Sequence, residues 1–316
     1  MSNIFDINNV LIAKENIVNN VIHTPIVQSS FFTNYFKFNL FLKLELFQRT
    51  GSFKVRGVLN KLSILSDKEK SNGVISLSAG NHAQALAWAS KKIGINSTII
   101  MPYNASKSKI KSTKEYGGKV ILTDKNMLDK CNEVKNKYNL TLIHPFDDND
   151  VISGQGTIGL EIFDYFKKID FVIVGVGGGG LISGVASVLK TLNPKIKIFG
   201  VEPNNSNVIT RSLISDTPEV LSSNETIADG LAAPFAGKIT LEYIKKYVDK
   251  VVCVSEEEIK NSIKSIVYNE KIIPEPAAAT TIAALKYNKI NIPKGSNVLC
   301  IICGGNIDIN LLKNIL

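Results

Sequence analysis

The segment TGSFKVRG places a lysine, Lys54, among small and apolar residues. Its neighbours Gly51, Ser52, Phe53 and Val55 carry no charge. If the side chain is buried, desolvation lowers its pKa, and the uncharged amine becomes available for Schiff-base chemistry. A surface lysine at the start of a helix is the alternative that the local composition leaves open.

The segment SLSAGNHAQALAWAS predicts an anion-binding turn. We expect a strand to end at Ser78, a turn containing Gly80 to follow, and a helix to begin near Asn81. Backbone N–H groups at the N-terminus of a helix would suit a carboxylate. The alternative is that Asn81 only caps the helix.

Four consecutive glycines, residues 177–180, follow the strand-like segment FVIVGV. Gly175, Gly177 and Gly180 match the G-x-G-x-x-G pattern of dinucleotide-binding folds. A later strand-like segment ends on Glu202, near the expected distance of ~20 residues. Backbone amides in such a loop bind a phosphate whatever molecule carries it. A nicotinamide-dependent oxidoreductase is therefore one of the functions that the loop allows.

Cys300 and Cys303 form a C-x-x-C pair, a spacing found in redox and metal sites. They lie in NVLCIICGG, an apolar run typical of a buried strand, where residues three apart point to opposite faces. The three histidines, His23, His82 and His144, are scattered along the chain. We therefore expect neither converging thiols nor a structural zinc site.

The chain has 316 residues, of which 44% are hydrophobic and 21% charged, which is typical of a globular protein of about two domains. Its net charge of +9 comes from lysines, because the only arginines are Arg49, Arg56 and Arg211. Nucleic-acid-binding proteins favour arginine with interleaved aromatic residues. The densest lysine run, SKSKIKSTKEYGG, fits a solvated helical face. We expect no nucleic-acid partner.

Two features of the chain bear on its location. No apolar run approaches the ~20 residues that span a membrane. The N-terminal segment MSNIFDINNVLIAKE has neither the basic nor the apolar region of a secretory signal. We expect a cytoplasmic protein without a membrane partner.

Strand-like and helix-like segments alternate along most of the chain, which predicts an α/β fold with largely parallel sheets. One series runs from GVISLS to GKVILT, and a second runs from IDFVIVGVG to NVLCIICGG. The polar passage HPFDDNDVISGQGTIGLEIF separates them. The pattern predicts two α/β domains with a ligand cleft between them.

Six motifs occur in one order: TGSFKVRG, SAGNHAQ, HPFDD followed by GQGTIGLEI, VGVGGGGLISG, ETIADG and CGGN. On these motifs, and over essentially its whole length, the chain resembles the fold-type II pyridoxal-phosphate enzymes. The resemblance is to the family of threonine/serine dehydratases and serine racemases, nearest to threonine dehydratases made of the catalytic domain alone. It implies two parallel or mixed-sheet α/β domains of the tryptophan synthase β-subunit-like architecture. Residues 1–47 and 146–316 would form the large cofactor-binding domain, and residues 48–145 the small mobile domain.

The resemblance also implies which residues bind pyridoxal phosphate. Lys54 would form the Schiff base, and Phe53 would pack beside the cofactor. Asn81 would bond the 3-hydroxyl oxygen, and Cys303 would face the pyridine nitrogen. The glycine loop would wrap the phosphate, with Leu181 beginning the helix. The implied cofactor-binding set is Phe53, Lys54, Asn81, Gly177, Gly178, Gly179, Gly180, Leu181 and Cys303.

The substrate carboxylate would bind the turn made of Ser78, Ala79, Gly80, Asn81 and His82, largely through backbone N–H groups. The implied reaction removes water from L-threonine or L-serine, and it yields 2-oxobutanoate or pyruvate together with ammonia. Lys54 would take the Cα proton. Lys130 lies roughly where some relatives carry a basic residue near the substrate.

Serine racemase and 3-hydroxyaspartate dehydratase are the alternatives within the family. Racemases carry a serine at the position of Ala79, and a methyl group cannot return a proton to the opposite face of Cα. Racemases also tend to have a polar residue in place of Phe146. Both positions favour elimination, and a homodimer or homotetramer is the expected assembly.

Some relatives bind a divalent cation near the segment VEPNNSNV. Glu202 and the carbonyl group of Ser206 would be the tentative ligands. Where those relatives have a second carboxylate, this chain has Val208. Hard cations need several oxygen ligands, so this loss weighs against a metal.

Overall fold

The computed structural model describes residues 4–316. Within them the strands are β1 (Ile26–Gln28), β2 (Asn39–Lys43), β3 (Val74–Leu77), β4 (Ser97–Pro102), β5 (Lys119–Thr123), β6 (Thr141–Leu142), β7 (Phe171–Gly175), β8 (Lys197–Pro203), β9 (Lys250–Val254) and β10 (Asn297–Ile301). The helices are α1 (Ile7–Ile17), α2 (Ser30–Phe36), α3 (Lys54–Ser63), α4 (Asp67–Asn72), α5 (Asn81–Lys92), α6 (Lys107–Glu115), α7 (Met127–Tyr138), α8 (Asn149–Tyr165), α9 (Gly180–Leu192), α10 (Val208–Ser215), α11 (Lys238–Tyr247), α12 (Glu256–Glu270), α13 (Pro276–Lys286) and α14 (Ile309–Ile315). Short 3-10 turns cover Glu45–Phe47, Arg49–Gly51, Asn204–Ser206 and Asp229–Leu231.

The strands form two sheets. The larger has the order β1-β2-β10-β7-β8-β9, and only its edge strand β1 is antiparallel to its neighbour. The smaller has the order β5-β4-β3-β6 and is parallel throughout. The expectation of an α/β fold with largely parallel sheets is confirmed.

The central strands of the larger sheet are continuously apolar because helices cover both of their faces. In β7 the side chains of Val172, Ile173 and Val174 are fully buried, as are those of Val298 and Leu299 in β10. A core of this kind holds the ends of the two strands in one place. Those ends lead directly into the glycine loop and into Cys303.

Helices α3, α8 and α9 pack with their backbones in contact. A Cβ atom added to Gly154 of α8 would lie 2.5 Å from the Cα atom of Gly57 in α3. One added to Gly184 of α9 would lie 2.4 Å from the carbonyl oxygen of Ile152. The helix that begins at Lys54 is therefore pressed against the helices of the larger sheet.

The ends of two strands and the start of one helix differ slightly from the expected positions. Strand β3 ends at Leu77 rather than Ser78, and helix α9 begins at Gly180 rather than Leu181. Strand β10 ends at Ile301, so Cys303 lies beyond it rather than within it. The four cysteines are all free thiols. Across residues 4–316, no helix is long and apolar enough to cross a membrane.

Candidate active site

Lys54 is the first residue of α3, and its Nζ atom donates a hydrogen bond of 2.8 Å to the carbonyl oxygen of Pro145. Burial lowers the pKa of Lys54 from 10.5 to about 8, although Cys303 and Glu275 partly oppose the shift. The uncharged amine is therefore accessible near neutral pH. The alternative of an ordinary surface lysine does not describe this side chain.

One cavity brings together every residue of the implied cofactor-binding set. The residues of that set on its wall are Phe53, Lys54, Asn81, Gly177, Gly178, Gly179, Gly180, Leu181 and Cys303. They come from the ends of β7 and β10 and from the starts of α3, α5 and α9. Parallel strands present their carboxyl ends to the same edge of a sheet, which is where ligands of such folds bind.

The glycine loop of residues 177–180 is shaped by neighbours that exclude side chains. A Cβ atom on Gly178 would lie 2.3 Å from the ring of Phe146, and one on Gly177 would lie 2.8 Å from the Cα atom of Leu231. Gly179 has a φ of +89°, a conformation that favours glycine. Because the first N–H groups of α9 have no intrahelical partners, this loop fits the phosphate of a cofactor.

The loop carrying Phe146 is held in place from two sides. The Nδ1 atom of His144 accepts hydrogen bonds from the N–H groups of Phe146 and Asp147, at 3.2 and 2.8 Å. The carboxylate of Asp147 in turn accepts the N–H groups of Lys238 and Thr240 at the start of α11. Burial lowers the pKa of His144, which keeps its ring neutral and able to accept. Phe146 is thereby fixed over the glycine loop.

Glu275 is a site residue that the sequence analysis missed. Both of its carboxylate oxygens accept hydrogen bonds of 2.9 Å from the Nδ2 atom of Asn81, whose Oδ1 atom accepts one of 2.8 Å from Asn306. Burial raises the pKa of Glu275. A lone acidic residue in the apolar segment IIPEPAAAT was the available signal.

The thiol of Cys303 is fully enclosed and lies 3.9 Å from the Oε1 atom of Glu275. Burial and the nearby carboxylate raise the pKa of Cys303 well above its ordinary value. The side chain is therefore a neutral thiol. The backbone carbonyl oxygen of Cys303 accepts a hydrogen bond of 3.1 Å from the N–H group of Phe53. This bond joins the residue before Lys54 to the segment that follows β10.

The turn of residues 78–82 lies at the start of α5, as expected, and of its residues only Asn81 lies on the cavity wall described above. Ser78, Ala79 and Gly80 are half-buried, and a Cβ atom on Gly80 would meet nothing within 4 Å. His82 is buried, and its Nε2 atom lies 3.1 Å from the carbonyl oxygen of Ile143. Burial lowers the pKa of His82 to about 3, so its ring is neutral.

The side chains of Glu202 and Ser206, at the predicted cation site, are bonded to other parts of the protein. The two carboxylate oxygens of Glu202 accept the N–H groups of Ile209 and Thr210 and the hydroxyl of Thr210. Burial raises the pKa of Glu202 to about 7. The hydroxyl of Ser206 donates to the carbonyl oxygen of Leu231. In the described part of the chain no cluster of three His, Cys, Asp or Glu side chains occurs, so Glu202 has no second carboxylate beside it to complete a cation site.

Two lysines behave differently from their sequence-based interpretation. Lys130 pairs with Glu133 on its own helix α7 at 2.7 Å and lies off the cavity wall. Lys109 belongs to the lysine-rich α6, which was expected to be a solvated face. Its side chain is only 15% exposed and forms an ion pair with Asp229, beside Gly230 of the cavity wall. We name Lys109 and Asp229 the mouth pair.

Comparisons with known proteins agree with this geometry. A family model described as pyridoxal-phosphate dependent enzyme matches residues 17–304. An L-threonine ammonia-lyase of Thermotoga maritima is 42% identical over 302 residues, covering 94% of this chain and 75% of that relative. A catabolic L-threonine dehydratase of Staphylococcus aureus strain N315 is 42% identical over 310 residues, covering 96% of this chain and 90% of that relative.

Solved structures of two related enzymes superpose closely on this chain. Maize serine racemase superposes with a TM-score of 0.94 at 36% identity, covering 99% of this chain and 97% of that one. A threonine deaminase isoform of Solanum lycopersicum superposes with a TM-score of 0.90 at 35% identity, covering 98% of this chain and 93% of that one.

The fold and the cavity define an α/β enzyme that holds a phosphate-bearing cofactor beside a reactive lysine. The chain belongs to the family of pyridoxal-phosphate dependent enzymes. The architecture implied by the resemblance is confirmed by the threonine deaminase and serine racemase structures. The nicotinamide alternative loses its support, because Glu202 is bonded to α10 and the family model is that of pyridoxal-phosphate dependent enzymes.

Proposed function

We propose that this protein is an ammonia-lyase that removes water from L-threonine or L-serine and releases a 2-oxo acid and ammonia. The observation that carries the proposal is one cavity holding Lys54, with a pKa of about 8, together with the glycine loop and the neutral thiol of Cys303. The threonine ammonia-lyase and the dehydratase among its relatives support the same activity.

Pyridoxal phosphate, when bound, supplies the electron withdrawal that makes the Cα–H bond of an amino acid acidic. The residues of this chain do the rest. The glycine loop would bind the phosphate, and Phe146 would keep water away from it. The Nζ atom of Lys54 would take the Cα proton, since its lowered pKa leaves much of the amine uncharged near pH 8.

Two further roles follow from position. The N–H groups of the turn at residues 78–82 would hold the substrate carboxylate at the start of α5. The thiol of Cys303 would face the cofactor ring without giving it a charge. A carboxylate there would strengthen the ring as an electron sink, whereas elimination needs less because the negative charge leaves with the β-substituent.

We infer that elimination prevails over racemisation. Ala79 offers no exchangeable proton, and Lys54 serves only one face of Cα. Phe146, in the dehydratase-like position, supports the same choice.

We also propose the domain limits that the resemblance implies, with residues 48–145 as the small mobile domain and residues 1–47 and 146–316 as the large one. All four strands of the smaller sheet lie inside the first range, and all six of the larger lie outside it. We further propose a cytoplasmic homodimer or homotetramer with no nucleic-acid or membrane partner. The scarcity of arginine supports the absence of nucleic acid.

Assays with added pyridoxal phosphate test the function. L-threonine, L-serine and L-3-hydroxyaspartate would each be supplied, and the 2-oxo acid and ammonia measured. We expect 2-oxobutanoate or pyruvate to form, and a preference for 3-hydroxyaspartate would revise the substrate. Failure to bind the cofactor or to release any 2-oxo acid would contradict the proposal.

Chiral chromatography of the serine reaction separates the lyase from a racemase. We expect little D-serine from the unmodified protein, and more from the Ala79→Ser variant at the expense of pyruvate. D-serine formed by the unmodified protein at rates rivalling pyruvate would overturn the assignment.

A further inference from the structure

The segment TGSFKVRG contains a second charged residue, Arg56, which the mechanism above leaves unused. Its side chain is fully buried, two residues after Lys54 on the first turn of α3. Its guanidinium makes two hydrogen bonds to Glu45, at 2.9 and 2.8 Å, and two to Glu161, at 2.7 and 3.0 Å. Further bonds reach the hydroxyl of Thr157 and the carbonyl oxygen of Ile22.

This guanidinium is one of four charged groups that lie together. Lys43 bonds to Glu161, so two cations and two carboxylates balance each other. Burial alone would lower the pKa of Arg56, but Glu45 and Glu161 raise it, and the group stays charged. We name Lys43, Glu45, Arg56 and Glu161 the buried clamp.

The clamp joins the two ends of the loop of residues 45–56, which contains Lys54. Glu45 stands at the start of this loop and Arg56 at its end. Between them the chain turns through Thr50 and Gly51, which have φ angles of +57° and +72°. The ion pair therefore joins the two ends of a loop that contains a strained turn.

The loop of residues 45–56 forms hydrogen bonds with the segment of residues 302–306, which contains Cys303. The N–H of Leu46 donates to Ile302, and the N–H of Phe53 donates to Cys303, at 3.0 and 3.1 Å. The carbonyl of Gly51 accepts the N–H of Gly305 at 3.0 Å, and that of Thr50 accepts the side chain of Asn306 at 2.8 Å. The loop thus bonds the backbone next to Lys54 directly to the backbone of Cys303.

We propose that Arg56 is a positioning residue, which acts through Glu45 and Glu161 to set where the Nζ atom of Lys54 lies relative to Cys303. The proposal rests on the function proposed above, in which that amine takes the Cα proton. A displacement of about 1 Å at such a group can cost about a hundredfold in rate. Replacing a buried ion pair by neutral side chains is often harmless to stability, so a positioning role and a folding role make different predictions.

The decisive variant removes one charge of each sign. Arg56→Met together with Glu45→Gln leaves Lys43 and Glu161 as a balanced pair, whereas Arg56→Met alone leaves an excess buried carboxylate. We expect the single change to lower the Tm by roughly 5–10 °C and the double change to restore most of that loss. Lys61→Met is the matched control, because Lys61 also joins α3 to the start of α8, by ion pairs to Asp148 and Asp150 nearer the surface.

Two readouts then report on Lys54. In the cofactor-free protein, the pH dependence of Lys54 acylation, followed by mass spectrometry, measures the pKa of its amine. We expect a midpoint near 8 in the unmodified protein and in the Lys61→Met control. In the double variant we expect a midpoint shifted upward by about one unit and a kcat at least about tenfold lower, with a smaller change in KM.

A double variant with the unmodified midpoint and kcat would overturn the proposal. If the double variant does not fold, Arg56→Lys tests the proposal instead. It keeps the positive charge but loses the bidentate hydrogen bonds to Glu45 and Glu161. A folded Arg56→Lys protein should then show the shifted midpoint and the lowered kcat, and unchanged values would again overturn the proposal. Failure of the lyase function would appear separately, as no turnover by the unmodified protein, while the acylation midpoint would still report on Arg56.

Discussion

The buried clamp and the mouth pair both connect the region of the smaller sheet to the rest of the chain. They differ in how far their side chains are exposed to solvent. The clamp has fully buried Arg56 and Lys43 side chains and several short hydrogen bonds. The mouth pair joins Lys109, 15% exposed, to Asp229, which is 50% exposed. Burial lowers the pKa of Lys109 from its ordinary value, although Glu275 and Asp308 partly oppose the shift.

This contrast indicates which side of the cleft stays closed. Removing one partner from a buried ion pair leaves an uncompensated charge and costs about 3–5 kcal/mol. An ion pair with a half-exposed carboxylate, such as the mouth pair, contributes less than that and is weakened by salt. We therefore expect the clamp side, which also has the backbone contacts of α3 with α8, to remain fixed. We expect the cleft to open for substrate on the side of the mouth pair.

The largest effect should come from the group that the clamp positions. We expect Lys54→Ala to lower the rate of 2-oxo acid formation by about a thousandfold or more while leaving the fold intact, because proton abstraction loses its base. The measurement is turnover with L-threonine alongside circular dichroism. Lys107→Ala, an exposed position on α6, serves as the control. A Lys54→Ala protein that turns over at a tenth of the unmodified rate or faster, roughly, would contradict this role.

The glycine loop provides the next test. A methyl group at Gly178 would lie 2.3 Å from the ring of Phe146, so Gly178→Ala should displace the loop and weaken cofactor binding by about tenfold to a hundredfold. Equilibrium titration with pyridoxal phosphate measures the change. Adding Phe146→Ala should recover part of the affinity by making room. If the double change binds no better than the single one, the clash is not the cause.

The pH dependence of stability tests the environment of Lys54. Its pKa is about 8 in the folded protein and 10.5 as an ordinary lysine, so the folded chain binds fewer protons between these values. The contribution of this group to stability should therefore rise with pH across that window. Denaturation of the cofactor-free protein at pH values from roughly 7.5 to 10.5 measures this. The free energy of unfolding of the unmodified chain should rise with pH relative to that of Lys54→Met. A constant difference between the two would indicate an amine with an ordinary pKa.

The smallest effect should come from the mouth pair. We expect Lys109→Met or Asp229→Asn to lower unfolding free energy by less than about 1 kcal/mol, since the pair is partly solvated. The rate of substrate binding should become less sensitive to salt in both variants. Stopped-flow binding across a range of salt concentrations measures this. A loss of stability as large as that of Arg56→Met would remove the distinction between the two sides of the cleft.

Local patterns predicted the elements that carry the site. Alternating apolar segments gave strands β3 and β7 and helices α5 and α9 to within one residue at the ends that face the cavity. The glycine run predicted the tight loop that leads into α9, because the conformations of consecutive glycines and a following helix depend on neighbours in sequence. Each of these signals is contained in a few adjacent residues.

The sequence by itself thus determined the α/β class and the family, and its motifs singled out Lys54, Asn81 and Cys303, which the structure places on one cavity wall. Only the tertiary structure decided whether Lys54 is buried, which its local composition left open. It also decided the partners of Glu275 and Arg56, because their contacts lie 194 and 105 residues away along the chain. The physical reason is that burial and charge pairing depend on which distant segments pack together, and no local pattern contains that information.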